Sequence, residues 1–443
     1  MNITLPATNI APPQEVRRPY LRFLDGVRGL AALYVVLFHV TGEAKPHLSP
    51  GLARSLEWLG YGHYGVDLFI VLSGFCLMLP VVYKAIGDEF VLLGGLAEFA
   101  HRRAWRILPA YYAALAFSML LPLLSFHGLS ALGRSGASML PGILATLGAG
   151  NVISHVLLLY NWDHVWCYAF NYPLWSVAVE WQIYFLFALA LLPAIRRFGI
   201  VPSLVGAWVV SLAPHFLLPR SHNLDWTFPW MVGLFALGAA TAVAGVRLQS
   251  SARDVRPLLV AVTVAASAIT CFLVEFQPAL AHRDLWLTDL VMGIGAAAFI
   301  LYGQQCARYG VRPPVIRLLE SPCALFLGAI SFSLYLVHKP LLLKFCPISV
   351  ALTRHFHLSY DANYFVFVFV GVPVVIAFSY LFHRAFERPY LARRRKAVIP
   401  EPTPAAIARQ RLPLIVRQLF PAGHIGIRIQ LPYPIILRSP TDT

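Results

Sequence analysis

Apolar residues in this chain fall in long runs rather than in the alternating or half-and-half patterns of water-soluble strands and helices. A helix rising about 1.5 Å per residue needs roughly 20 mostly apolar residues to cross a bilayer. Runs of that kind lie near 24–41, 62–83, 104–126, 173–194, 202–219, 228–246, 257–274, 285–303, 324–347 and 363–384. An eleventh run, 139–160, is less apolar and is broken by Gly142, Gly148, Gly150 and Asn151. The pattern predicts an all-α, polytopic membrane protein with about ten transmembrane helices.

Composition agrees. Over 443 residues, 58% are hydrophobic and 12% charged, with a mean hydropathy of +0.67. A soluble domain carries roughly 25% charged residues, so the chain lacks the charge to coat a water-facing surface. The aromatic content, 13%, argues equally against disorder. Six cysteines form no CxxC and no metal-ligand spacing, and no metal is expected. The first 22 residues lack the apolar core of a cleavable signal.

The net charge of +15 raises the question of nucleic acid, but the basic residues lie between the apolar runs rather than in a patch, and no nucleic-acid partner is expected. Their distribution fits membrane topology instead. If 139–160 does not span, the connections on one side are the N-terminal tail, 84–106, 195–201, 247–256, 304–322 and the segment from 384 onward. Through Lys396 these hold 21 Lys and Arg. The opposite connections hold six: Lys45, Arg54, Arg134, Arg220, Arg283 and Arg354. The positive-inside rule then puts both termini in the cytoplasm. Counting 139–160 as a span reverses every later loop and spoils the bias, so this run reads as an interfacial or re-entrant part of a long outer loop, about 127–172. The expected organisation is a cytoplasmic tail (1–22), a transmembrane domain (23–390) and a basic, then Pro-rich, cytoplasmic tail (391–443).

Several apolar runs carry ionisable residues, which are expensive in a bilayer and mark a polar interior. In FLDGVRGLAALYVVLFHV, Arg28 and His39 are eleven residues apart, close to three turns, so they share a face with a rise of about 16 Å between them. Asp25 lies on nearly the same face. The second run, GHYGVDLFIVLSGF, places Asp67 at its outer end and Ser73 and Gly74 deeper; Ser73-Gly74 also suits close helix packing. The third opens HRRAWRILPAYY, crowding Arg102, Arg103 and Arg106 into the positive end of a helix, which favours an anion there, either lipid headgroups or a phosphorylated ligand. In NYPLWSVAVEWQIYFLF, Ser176, Glu180 and Tyr184 share one face. The aromatics before it, Tyr160 to Trp175, suit either an interfacial belt or stacking on sugars. In ISFSLYLVHKP, Tyr335 and His338 lie in the outer half, and Lys339 can snorkel. His39, Asp67, Glu180 and His338 are thus expected at one depth, and the arginines at the other.

These stretches, with the closing FERPY, resemble the acyltransferase-3 family of integral-membrane O-acyltransferases, in order and over residues 23 to 390. The family's Arg-ten-residues-His pattern falls on Arg28 and His39, its Arg-x-x-Arg on Arg103 and Arg106, and its helix-embedded Glu on Glu180. The resemblance implies transfer of an acyl group, most often acetyl, from cytoplasmic acyl-CoA to a hydroxyl of a sugar, glycoconjugate or related metabolite. The geometry fits that activity: Arg103 and Arg106 would hold the CoA phosphates at the inner face with Arg28 lining the way up, and His39 would be base or acyl-carrying nucleophile, with Glu180 or Asp67 orienting it and Asp25, Ser73, Ser176, Tyr335 and His338 in support. Membrane lipid, a carbohydrate or glycolipid acceptor and a bacterial inner membrane are the implied surroundings. Without the appended domain of some members, the chain would act alone or with a separate acceptor-handling partner. The rival reading is a transporter or flippase using the same buried charges.

Overall fold

The computed structural model describes residues 21–84, 90–131, 147–220, 223–249, 251 and 253–391. The eleventh run is described only from residue 147, and the two tails lie outside the described residues but for 21, 22 and 391. Among the described residues there are ten helical spans long and apolar enough to cross a membrane: α1 (Phe23–His47), α2 (Glu57–Lys84), α3 (Gly95–Leu121), α4 (Tyr172–Phe198), α5 (Ile200–Leu217), α6 (Met231–Leu248), α7 (Arg256–Phe276), α8 (Leu285–Arg308), α9 (Pro322–His355) and α10 (Tyr360–Leu391). In lipid no water satisfies backbone N–H and C=O groups, so runs of this composition must close their hydrogen bonds internally, as helices do.

The bundle is built on α1, α2, α6 and α9, whose apolar side chains are buried on most faces. α2 and α6 approach most closely where glycines meet backbone. A Cβ on Gly74 would lie 2.0 Å from the Phe235 carbonyl oxygen, and one on Gly238 would lie 2.0 Å from that of Val71. α1 and α9 repeat the device: a Cβ on Gly29 would fall 2.4 Å from the Gly328 nitrogen. By contrast, α5 and α7 show large apolar side chains on the surface, among them Val205, Val209, Val210, Val264 and Phe272. Such an apolar perimeter is stable only in a bilayer. The protein is an integral membrane protein.

Residues 149–174 do not cross the bundle. A short helix, Ala149–Val156, and three tight turns pack between α3 and α4. Tyr111, well inside α3, donates to the His155 carbonyl at 2.8 Å, and Gln182, midway along α4, donates to the Leu158 carbonyl at 2.8 Å. The segment therefore reaches the level of the helix middles and returns. Residues 139–146 of the eleventh run lie outside the described residues.

Candidate active site

α4 is the spine of the candidate site. On its Ser176–Glu180–Tyr184 face, Glu180 and Tyr184 share one contact and Ser176 belongs to another. Glu180 accepts from Ser73 of α2 and from Tyr184, each at 2.5 Å on Oε1. Around this trio stand three arginines. Arg28 of α1 interacts electrostatically with Tyr184, Asp25 and Glu180. The Arg103 guanidinium lies over the Tyr184 ring at 5.7 Å and near Phe99 at 5.9 Å, and Arg106 also interacts electrostatically with Tyr184. Glu180, expected beside His39, is thus associated with the arginines. The reason is register: the Ser73 hydroxyl and the Tyr184 hydroxyl hold the carboxylate between them, one turn of α4 away from Ser176.

One turn toward the other end, the Ser176 hydroxyl meets the Tyr335 hydroxyl of α9 at 2.6 Å, and both reach the Pro173 carbonyl. Tyr335 is followed by His338, which is fully buried. His338 Nδ1 lies 2.8 Å from the Tyr335 carbonyl and 3.2 Å from that of Leu334. Both are pure acceptors, so Nδ1 carries the hydrogen and Nε2 the lone pair. Nε2 has no partner among the described residues, and its ring lies 5.1 Å from that of His39. Tyr172 flanks His39 at 6.1 Å and stacks on Tyr168 at 4.7 Å. Asn171 closes this end, donating to the Leu336 carbonyl at 2.9 Å and to Ser118 at 3.2 Å.

A polar seam therefore runs from Arg103 and Arg106 through Tyr184, Glu180 and Ser73, past Ser176 and Tyr335, to His338 and His39. Ser73 and Gly74, adjacent in sequence, serve two ends: the first bonds Glu180, the second admits α6. The aromatic segment also divides. Tyr160 is buried and stacks on His155 at 3.9 Å, while Trp162 and Tyr172 are exposed.

Asp67 has partners other than the expected His39. It makes no contact with His39 among the described residues; its neighbours are His63, one turn earlier on α2, and Asp289 of α8. His63 Nε2 lies 3.1 Å from both Asp289 oxygens, and Trp230 Nε1 donates to Asp289 Oδ2 at 2.7 Å. His63 and Asp289 are not among the expected site residues; their marks in the sequence are an i, i+4 His–Asp pair and a lone Asp inside an apolar run. The Glu of FERPY is a further buried carboxylate: Glu387 accepts from Ser333 at 2.6 Å, with His383 Nδ1 2.9 Å away.

A ten-span helical bundle with an ionisable seam of this kind is a membrane-embedded protein built around a protected polar path. The family model described as "Acyltransferase domain" matches residues 21–384, and the chain belongs to the acyltransferase-3 family. It is an acyltransferase enzyme. Among its relatives are a provisionally named membrane-bound transacylase of Komagataeibacter xylinus, 26% identical over 72% of each chain, and a provisionally named peptidoglycan O-acetyltransferase of Bacillus subtilis, 29% identical over 39% of this chain. An O-acetyltransferase of Staphylococcus aureus is 21% identical over 73% of it. The match spans 24% of the Bacillus protein and about half, 51%, of the Staphylococcus protein. No solved structure matches the chain.

Proposed function

We propose that this enzyme transfers an acyl group, acetyl in the first instance, from acyl-CoA to a carbohydrate or glycolipid hydroxyl, using the two ends of the seam for the two substrates. The observation that carries this reading is the pairing of two buried polar groups along one face of α4: arginines suited to phosphates around Tyr184 and Glu180, and, beside the Ser176–Tyr335 contact one turn from Glu180, the paired imidazoles of His338 and His39. Arg103 and Arg106, with Arg28 above them, hold the CoA phosphates, since guanidinium forks match phosphate oxygens. Glu180, fixed by Ser73 and Tyr184, keeps these cations in place. The pantetheine arm follows the seam toward His39, over a rise of about 16 Å.

At that end His39 acts as general base toward the acceptor hydroxyl. His338, its Nε2 lone pair turned toward the same pocket, positions the His39 imidazole in the role first expected of Glu180 or Asp67. Ser176 and Tyr335 hold His338 through the start of α4. The hydroxyl oxygen attacks the thioester carbonyl, the C–S bond breaks, and the proton taken by His39 passes to the departing CoA thiolate. Tyr168 and Tyr172 provide an aromatic platform for the acceptor beside His39, in keeping with the Bacillus relative named for peptidoglycan O-acetylation. The arginine end faces the cytoplasm of a bacterial inner membrane, and both chain ends lie on that side.

The test is CoA release from labelled acetyl-CoA by membranes containing the wild-type chain or His39→Ala, with host glycolipid extract as acceptor. Label entering the extract only with His39 present supports the reading. Transfer retained in the variant removes His39 from the chemistry, and movement of acceptor across the membrane without thioester consumption favours the transporter.

A further inference from the structure

Asp67 and Asp289 are both fully buried, and among the described residues no Lys or Arg pairs with either. The one basic group they share is His63, whose Nε2 lies 3.1 Å from Asp289 Oδ1 and 3.9 Å from Asp67 Oδ1. One ligand atom from each of the three lies within 4.8 Å of the others. Neither oxygen of Asp67 accepts from an N–H or hydroxyl donor of the protein; besides His63, its polar neighbour is the Asp289 carboxylate, close enough to share a proton with it. Two carboxylates buried against each other with one imidazole between them must either hold a shared proton or take up a cation, and the imidazole nitrogen beside them makes the trio a ligand set.

A second histidine in the same protein shows what a self-sufficient cluster looks like. His215 also sits between two carboxylates, Asp225 at 2.9 Å and Asp284 at 3.2 Å. There, however, Arg283 pairs with Asp284 at 2.6 Å, Asn223 donates to Asp225 at 2.6 Å, and both carboxylates are partly exposed. The charges are matched by the chain itself. At His63 they are not.

We infer that His63, Asp67 and Asp289 form a binding site for one divalent cation of the zinc class, at the end of the bundle that also holds His39. The donor set is one imidazole nitrogen and two carboxylate oxygens, which suits zinc better than the all-oxygen preference of calcium or magnesium. Tetrahedral zinc with ligands near 2.1 Å separates its donor atoms by about 3.4 Å, between the two distances observed. Two carboxylates neutralise the ion, and Nε2 gives up its proton to solvent on binding. Trp230, immediately before α6, fixes Asp289 Oδ2 by its N–H, as outer partners of metal ligands do. His63 is partly exposed and offers an entry path, and its ring packs near Trp175 at 6.4 Å and Phe228 at 5.7 Å. One ion would thereby pin α2 to α8, with α6 in support, beside the start of α4. Three protein ligands leave a fourth position open.

The test uses the full-length chain purified in detergent. The expected result is about one zinc per chain by elemental analysis, removed by chelator dialysis and restored by Zn2+ alone, with a rise in unfolding temperature that saturates at about one equivalent. His63→Gln, at the partly exposed start of α2, should remain folded by size exclusion and bind zinc at least about 100-fold more weakly. Asp67→Asn should do the same. A monodisperse wild-type chain that carries no metal, and whose unfolding temperature responds to neither Zn2+ nor Mn2+, overturns the site and leaves the carboxylates to share protons. Zinc binding undiminished in His63→Gln overturns it as well. Because these readouts are metal content and unfolding, they stand apart from the acyl-transfer reading.

Discussion

At the scale of single residues, the two histidines carry the clearest expectations. A positioned general base contributes about 10²–10⁴-fold, so His39→Ala should lower acyl transfer by that factor while the protein level in membranes stays normal. In the proposed mechanism His338 acts through His39, and it should show a different signature. His338→Ala should lower kcat with the KM for acyl-CoA unchanged, and His338→Gln, which keeps an acceptor in the pocket, should recover part of the loss. Equal loss in both variants would mean that His338 only fills space. At the other end of the seam, Arg103→Ala should raise the apparent KM for acyl-CoA more than that for acceptor; an unchanged CoA dependence would detach Arg103 from the donor. Most of these residues were legible in the sequence because an ionisable group inside an apolar run is hard to explain as surface. Their pairings were less so. Glu180 and His39 come from helices whose relative depth the sequence sets only to within a turn or two, and one turn of α4 separates the Glu180 contacts from the Ser176–Tyr335 pair next to His338. The neighbours of Asp67 were not legible for the same reason: Asp289 lies more than 200 residues away, and no local spacing announces it.

At the scale of helices, packing rather than hydropathy decides how close the seam can be drawn. Ser73 reaches Glu180 of α4 from the position next to Gly74, where α2 meets α6 backbone to backbone. Any side chain at Gly74 must displace the Phe235 carbonyl, and overpacking of this kind costs about 1–3 kcal/mol or more. Gly74→Val should therefore reduce the folded fraction recovered from detergent and lower the unfolding temperature. Gly206→Ala is the control: it lies on lipid-facing α5, where a new Cβ meets nothing within 4 Å, and should leave stability unchanged or raise it by up to about 1 kcal/mol. A Gly74 variant as stable as wild type would mean the two helices are free to separate. Helix existence was fully readable from the apolar runs, and Ser73-Gly74 was readable as a packing pair, a functional pair or both. The path of residues 149–174 was not readable in detail. Its turns are held by carbonyl contacts from Tyr111, Tyr160 and Gln182, and such backbone acceptors leave no trace in side-chain pattern.

At the scale of the whole molecule, the charge distribution and the seam make one joint statement. With 21 basic residues on one set of connections and six on the other, the positive-inside rule orients α3 with Arg103 and Arg106 at the cytoplasmic face. On the proposed function the seam would then end at His39 on the far side, and donor and acceptor would meet the enzyme from opposite compartments. Acyl-CoA does not cross a bilayer, which makes the orientation measurable through activity. In inverted vesicles, whose cytoplasmic face is outside, added acetyl-CoA should be consumed at once; in sealed right-side-out vesicles it should be consumed only after permeabilisation. An impermeant acceptor should show the opposite dependence. Consumption of added acetyl-CoA by intact right-side-out vesicles would place the arginine cluster on the outer face and require the whole bundle to be read the other way up. If both substrates were needed on the cytoplasmic side, the orientation would stand, but the seam would no longer serve as a route for the thioester. The two parts of the statement can therefore fail separately: the charge bias bears on orientation alone, while the chain of contacts from Tyr184 to His39 bears on whether an acyl group can travel the bundle's length.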